Sequence, residues 1–181
     1  MEALIKQGRI SVVMDFSLVE VSNFYFGSEV NSGEDRLEIA GRYKVPQIIA
    51  PGGLTVIDAK TWSHAPKSFE GRDFRPHNRL ITCAALNPLE RGEAAKVIGN
   101  KLMKSKGPTA FIMPHGGFDD WDREGEWAFD RDAINHFYKE IKNILREPIE
   151  FYEIEQNIND PEFTDLALKI FDEWSEKGII K

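Results

Sequence analysis

The residues best suited to chemistry lie in three loop-like stretches of the sequence. The first stretch, GRDFRPHNRL, places His77 and Asn78 between Arg75 and Arg79. A histidine there can transfer protons, bind a metal or contact a phosphate, and the arginines could bind an anion. The alternative is that His77 and Asn78 only satisfy backbone groups of a long ordered loop. We take His77 as the candidate catalytic acid or base and Asn78 as a ligand contact.

The second stretch, FIMPHGGFDDWDREGEWAFDRD, begins as a buried strand and becomes a loop with many carboxylates. His115 and Gly116 directly follow the strand, and we expect both to contact a ligand. Trp121 and Trp127 could cover a ring-shaped ligand, although packing the loop onto the protein is their more usual role. The spacing of histidine and carboxylates matches no metal signature, so we assign no metal ligand. Three aspartates are expected to be solvated: Asp119, Asp120 and Asp122.

The third stretch, SGEDRLE, has the composition of a helix start. Free backbone amides and the helix dipole attract anions at such a position. We expect Gly33 to let a ligand approach, Asp35 to accept hydrogen bonds from hydroxyls, and Arg36 to pair with a phosphate or carboxylate. An equally consistent alternative is that the acidic residues only complement the helix dipole.

These stretches must be positioned by strands and helices, which alternate along the chain. Short apolar runs predict buried strands at residues 10–16, 47–50, 109–113 and 149–154, with an extended segment at 79–86. Helices are predicted at residues 17–27, 33–45, 87–107, 131–147 and from 160 onward, after an initial helix that ends at Gly8. Ser17 and Glu20 are expected to form a capping box, although Glu20 could instead face the site. Residues 54–79 predict a long ordered loop.

Strands that alternate with helices predict an α/β fold, a three-layer Rossmann-like domain with a mostly parallel sheet flanked by helices. We treat residues 1–181 as a single domain. Ligands of such sheets bind beyond the carboxyl ends of the strands. Because the unusual loops all follow strands, we expect Arg36, His77 and His115 to lie in one shared hollow.

The composition excludes several classes of protein. A formal charge of −7 argues against nucleic acid as a partner, since phosphate backbones require clustered lysine and arginine. No apolar run approaches the ~18 residues that cross a bilayer, and MEALIKQGRI has no signal-peptide pattern, so we expect a cytoplasmic protein without a membrane partner. The single cysteine, Cys83, excludes an internal disulfide. The common nucleotide, esterase and zinc-protease motifs are absent, and the cofactor stays unknown.

The segments MEALIKQGRISVVMDFSLVEV, SGEDRLEIAGRYKVPQIIAPGGLTVID, FEGRDFRPHNRLITC, KGPTAFIMPHGGFDDWD and INDPEF resemble, in order, one known family. It is the tomato mosaic virus resistance protein-like family of uncharacterised proteins, and the resemblance is to its carboxyl-terminal half. The resemblance implies a two-lobed, often dimeric α/β protein with a nucleotide site in the amino-terminal lobe. We expect that lobe and the first strands of the second lobe to be absent here, so nucleotide binding is carried over to no residue. Glu34 stands where relatives commonly have proline, and Pro114-His115-Gly116 replaces a leucine-glycine loop.

Two hypotheses of function follow. The first is a cytosolic small-molecule-binding domain, part of a metabolic enzyme, that recognises an anionic or sugar-like ligand at its carboxyl-edge loops. The second is a non-catalytic interaction module that completes its sheet with a second copy or with a partner subunit supplying the missing lobe. An exposed sheet edge favours such pairing. The sequence does not decide whether the chain is catalytic.

Overall fold

The computed structural model describes residues 2–180, in which short strands alternate with helices. The strands are β1 (Val13–Asp15), β2 (Gln47–Ile49), β3 (Val56–Lys60), β4 (Arg75–Pro76), β5 (Ile81–Ala85), β6 (Thr109–Pro114) and β7 (Glu150–Ile154). The helices are α1 (Glu2–Lys6), α2 (Val19–Tyr25), α3 (Ile39–Arg42), α4 (Pro88–Leu102), α5 (Arg131–Ile144) and α6 (Pro161–Glu176). None of these helices has the length and apolar character needed to span a bilayer. Met1 and Lys181, the ends of the predicted domain 1–181, lie outside the described residues.

Four strands form a parallel sheet in the order β1-β2-β6-β7. Ile49 of β2 lies beside Asp15 of β1 and Phe111 of β6, and Phe111 lies beside Phe151 of β7. Helices α4 and α5 pack on one face of this sheet, and α6 packs on the other. This arrangement confirms the predicted α/β Rossmann-like fold with a mostly parallel sheet flanked by helices.

The two cores arise from the alternation of side chains along β2 and β6. Ile49 and Phe111 join the core that includes α4 and α5, whereas Ile48 and Ile112 join the core built with α6. Successive side chains of a strand point to opposite faces, so both cores draw on the same short strands. Helix α5 contributes buried residues at helical spacing, namely Ala133, Ile134, Phe137 and Ile141.

Part of the region that the sequence predicts as a long loop belongs to a second sheet. Strand β5 pairs antiparallel with β3 on one side and with β4 on the other. This register places Cys83 of β5 opposite Asp58 of β3. The predicted loop at residues 54–79 is wrong for β3, because residues 56–59 are all buried and therefore lack the alternation that marks a half-exposed strand.

The predicted helix start at Gly33 is also wrong. Residues 34–38 form turns, and α3 begins only at Ile39. Leu37 has a φ of 78°, a left-handed conformation that interrupts a right-handed helix. No helix amino terminus is therefore available at Gly33 to attract an anion.

The predicted helix caps have mixed outcomes. Helix α4 begins with a complete capping box, in which Asn87 and Glu90 exchange side-chain and backbone hydrogen bonds. Asp130 likewise accepts a hydrogen bond from the backbone N of Ala133 at the start of α5. The box predicted for Ser17 and Glu20 does not form, because α2 begins one residue later, after Leu18, which has no capping side chain.

Candidate functional site

A cavity of about 430 Å³ opens beyond the carboxyl ends of the parallel strands, against the antiparallel sheet. Its wall is built by the segments after β1, β2, β6 and β7 together with residues of β3 and β5. The hydroxyl, carboxyl, amide and imidazole side chains on this wall are Ser17, Asp58, His77, Asp119, Asp120 and Asn159. We call this space the edge cavity. Its location agrees with the rule that parallel sheets bind ligands beyond their carboxyl ends.

Asp58 is a buried acid on the β3 side of the edge cavity, with 9% of its surface exposed. Its Oδ2 accepts a hydrogen bond from Asn23 Nδ2 at 3.0 Å, and its Oδ1 accepts one from Cys83 Sγ at 3.0 Å. Burial raises the pKa of Cys83, and the neighbouring Asp58 raises it further. The thiol therefore remains protonated and serves as a donor that orients Asp58, and it lacks the thiolate character of a nucleophile.

Asp119 is a second acid on this wall, at the turn after β6. Its Oδ1 accepts a hydrogen bond from the backbone N of Asp122 at 3.1 Å. Burial raises the pKa of Asp119, and the negative charge of Asp122 adds to the increase. The prediction that Asp119 is solvated is wrong, since its carboxyl group is largely withdrawn from water.

A buried ion pair holds the loop that carries Asp119 and Trp121. Arg91 of α4 donates two hydrogen bonds to the Asp122 carboxylate, at 2.9 Å and 3.0 Å, and both side chains are 0% exposed. Arg91 also donates to the backbone oxygen of Ala128 at 3.1 Å. Asp122 was expected in solvent, but it is the internal anchor of this loop.

His77 is the sequence-predicted residue that the structure places on the wall of the edge cavity. Its ring meets the ring of Trp121 edge-on, with centroids 5.3 Å apart. Asn78 has a different role, since its Oδ1 accepts hydrogen bonds from the backbone N atoms of Leu80 and Ile81 at 2.8 Å and 3.0 Å. Asn78 thus closes the turn between β4 and β5, as its alternative interpretation predicted.

Arg36 does not line the edge cavity. Its guanidinium donates to the Asp15 carboxylate, with 2.9 Å between Nη2 and Oδ1, and to the backbone oxygen of Ser17 at 2.9 Å. Arg36 and Gly33 line a separate cavity of about 420 Å³ that shares no wall residue with the edge cavity. The cation expected to bind an anion is instead neutralised by an acid at the end of β1.

His115 packs against β7 and α5, and Gly116 packs against the loop after β7. His115 Nε2 lies 3.3 Å from Glu153 Oε2, and its ring packs edge-on against Tyr138 with centroids 4.8 Å apart. A Cβ on Gly116 would lie 2.4 Å from the backbone N of Asn157. Gly116 is therefore required by the close approach of two backbone segments.

The structure does not gather the predicted site residues in one place. Arg36, His77 and His115 are each held by different partners, so the expectation of one shared hollow is wrong. Asp35 lies near the surface, 3.8 Å from Lys6. Among residues 2–180, no three His, Cys, Asp or Glu side chains are arranged to hold a metal ion.

Sequence reasoning missed Asp58, the most enclosed carboxylate on the cavity wall. The available signal was an aspartate within the apolar run that became β3. A charged group in such a run is seldom buried unless it has a specific partner or role.

The raised pKa of Asp119 leads to a prediction about stability. A carboxyl group whose folded pKa exceeds its unfolded value of about 3.9 reduces the stability of the folded state as pH rises through the folded pKa. Asparagine at position 119 keeps an acceptor for Asp122 N without the charge. We expect Asp119→Asn to be more stable than wild type at pH 7, with a difference that shrinks towards pH 4, as measured by urea denaturation across that range.

Asp120→Asn is the matched control for this measurement. The hydrogen bond from Arg123 lowers the pKa of Asp120, so its charged form favours folding and the control should be less stable than wild type at neutral pH. If the free energy of unfolding depended on pH in the same way for both variants, the raised pKa assigned to Asp119 would be contradicted.

Comparisons with known proteins show a family match over nearly the whole chain. A family model described as "Uncharacterised protein family (UPF0261) C-terminal domain" matches residues 1–175. The chain is 41% identical over 179 residues to a UPF0261 protein of Brucella melitensis, covering 99% of this chain and 43% of that protein. It is 34% identical over 166 residues to a UPF0261 protein of Clostridium tetani, covering 90% and 41%.

A more distant similarity extends to tomato. The chain is 25% identical over 180 residues to the ToMV resistance protein Tm-1 of Solanum lycopersicum, covering 98% of this chain and 24% of that protein. These similarities confirm the resemblance inferred from the sequence. The chain spans less than half the length of the relatives it matches.

Proposed function

This chain belongs to the UPF0261 family of uncharacterised proteins and matches the C-terminal domain of that family, and from that premise we propose that it binds a small, neutral, hydroxyl-rich compound, such as a sugar, in the edge cavity. The observation that carries this proposal is the charge of the cavity wall, which has three aspartates and no lysine or arginine. An anionic ligand, which the sequence also allowed, is disfavoured because like charges repel at short range.

The hydrogen bonds of the three acids favour hydroxyl groups over a cation. Asp58 already accepts from Cys83, Asp120 is paired with Arg123 at 3.0 Å, and Asp119 accepts a backbone amide. Arg123 offsets the charge of Asp120, and the neutral thiol and amide donors stabilise the other two carboxylates by hydrogen bonding. Each carboxylate has about four lone-pair sites, so acceptors remain for the O–H donors of a ligand.

The aromatic side of the cavity supports the same ligand class. Trp121 lines the wall, and an indole ring offers a broad apolar surface beside a polar group. His77 touches this ring and is our candidate acid or base, because imidazole is the side chain that most readily exchanges protons near neutral pH. In the longer proteins of the family, we propose that the domain forms part of a small-molecule enzyme.

A panel of ligands tests the proposal by thermal shift and isothermal titration calorimetry. Neutral monosaccharides and polyols should stabilise the protein, by about 2.7 kcal/mol at a hundredfold excess over Kd, whereas sugar phosphates, small carboxylates and amines should not. Trp121→Ala and Asp119→Asn should each weaken binding at least about tenfold, a loss of about 1.4 kcal/mol. Trp62→Ala is the matched control, since Trp62 is 66% exposed and does not line the cavity. Stabilisation by anions alone, or binding unchanged in both cavity variants, would contradict the proposal.

One observation favours a second candidate, the interaction module. Met14 of the edge strand β1 is 37% exposed, although parallel sheets are ordinarily covered on both faces. A second copy, or further chain of a longer protein, would cover this strand. Light scattering coupled to gel filtration tests self-association. A strictly monomeric chain, unaffected by Met14→Lys, would count against assembly through β1.

A further inference from the structure

A second hollow lies directly beside the edge cavity. It has a volume of about 270 Å³, and we call it the side hollow. The two spaces share four wall residues, namely Ser17, Gly53, Asp119 and Asn159. Because they have these residues in common, the two spaces are adjacent.

The side hollow differs chemically from the edge cavity. Beyond the shared residues, its wall is formed by Phe16, Gly52, Phe118, Ile158, Phe163 and Thr164. None of these residues carries an acid or an imidazole group. The edge cavity, besides the shared residues, is lined by Asp58, His77 and Asp120. The combined space therefore has an acidic, hydrogen-bonding end and an apolar end, with Asp119 at the boundary.

The apolar wall is firmly packed. Phe16 and Phe163 meet edge-on with ring centroids 5.2 Å apart, and Phe163 is only 2% exposed. Ile158 packs with both rings in the core beneath α6. A wall whose side chains are fixed by the core keeps its shape, as ligand sites that are largely preformed do.

We propose that the ligand of this domain is amphiphilic, with a hydroxyl-rich head in the edge cavity and an apolar substituent in the side hollow. This inference rests on the proposed function for the head and adds the substrate class: a sugar or polyol carrying a short alkyl chain or an apolar ring. A free sugar in the edge cavity would leave the side hollow unfilled. A substituted one would fill it and gain the free energy of apolar burial.

A series of alkyl glucosides from methyl to hexyl tests the inference by calorimetry, with all ligands kept below their micelle concentrations. The head is constant, so affinity should rise by up to about fourfold per added methylene, equivalent to about 0.8 kcal/mol, until the hollow is filled. Thr164→Trp, an exposed position on the rim at α6, should fill the side hollow. This variant should lose the dependence of affinity on chain length.

Leu168→Trp is the matched control, because Leu168 is 49% exposed on the same helix and lies outside the hollow. It should retain the full dependence on chain length. If neither the glucosides nor any neutral monosaccharide or polyol binds, the hydroxyl-rich head is refuted, and the inference falls with the proposed function. Methyl glucoside binding without a gain along the series, or a gain that survives in Thr164→Trp, would overturn the amphiphilic ligand alone.

Discussion

Replacing Asp122 with alanine is expected to lower the free energy of unfolding by about 3–5 kcal/mol, the cost of breaking a buried ion pair on one side. The variant leaves the Arg91 guanidinium, 0% exposed, without its carboxylate. It also removes the acceptor of the Phe118 backbone N, which donates to Asp122 Oδ2 at 3.1 Å. Urea denaturation at pH 7 measures the loss. Because this loop carries Asp119 and Trp121, the variant should also lose any ligand of the edge cavity.

Two further variants distinguish the contribution of this ion pair to stability from that of its surroundings. Asp120→Ala removes an exposed pair with Arg123 and should cost at most about 1 kcal/mol. Burial raises the pKa of Asp122 even though Arg91 opposes the shift, so the charged pair offers little net stability. The double variant Arg91→Met with Asp122→Leu should therefore recover most of the loss. A single variant Asp122→Ala that unfolds like Asp120→Ala would show that the pair is not the anchor of the loop.

The parallel sheet could be predicted because its determinants are local. Buried strands such as β6 read as short apolar runs, and the start of α4 is encoded by Asn87 and Glu90 within four residues. The antiparallel sheet could not be predicted in the same way. Strand β4 is two exposed residues long, and only its pairing with β5 makes it a strand. Such pairing is a tertiary interaction that a local pattern does not contain.

The position of the candidate cavity was predictable, but its lining residues were predictable only in part. His77, which lines the cavity, was singled out because histidine in a loop is conspicuous, and the carboxyl edge follows from the sheet alone. Arg36 was misassigned because its partner, Asp15, lies 21 residues earlier in the chain. Arg91 was overlooked for the same reason, since Asp122 lies 31 residues away. Whether a charge meets a ligand or another side chain depends on contacts that only the fold determines.

Gly52→Ala is expected to lower the free energy of unfolding by at least about 2 kcal/mol, at the upper part of the usual range for overpacking. A Cβ on Gly52 would lie 1.9 Å from the backbone oxygen of Phe16 and 3.1 Å from Ile158 Cδ1. Since the first contact is with backbone, no rotamer change can relieve it. The loops after β1, β2 and β7 meet at this glycine, and Leu18 N donates to its oxygen at 2.9 Å.

Separation of these loops should disturb the side hollow more than Asp58 of β3, so the variant should lose binding of the apolar substituent before binding of the sugar head. The gain in affinity along the alkyl glucoside series should be lost, while weak binding of methyl glucoside persists in the fraction that is folded. Gly8→Ala is the control, because Gly8 has a φ of 68° and free space around it, so only the strain of a left-handed residue, about 1–2 kcal/mol, applies. If Gly52→Ala were as stable as wild type and kept the chain-length dependence, the loops would have to be free to move apart. A side hollow with so flexible a wall could not select ligands by their shape.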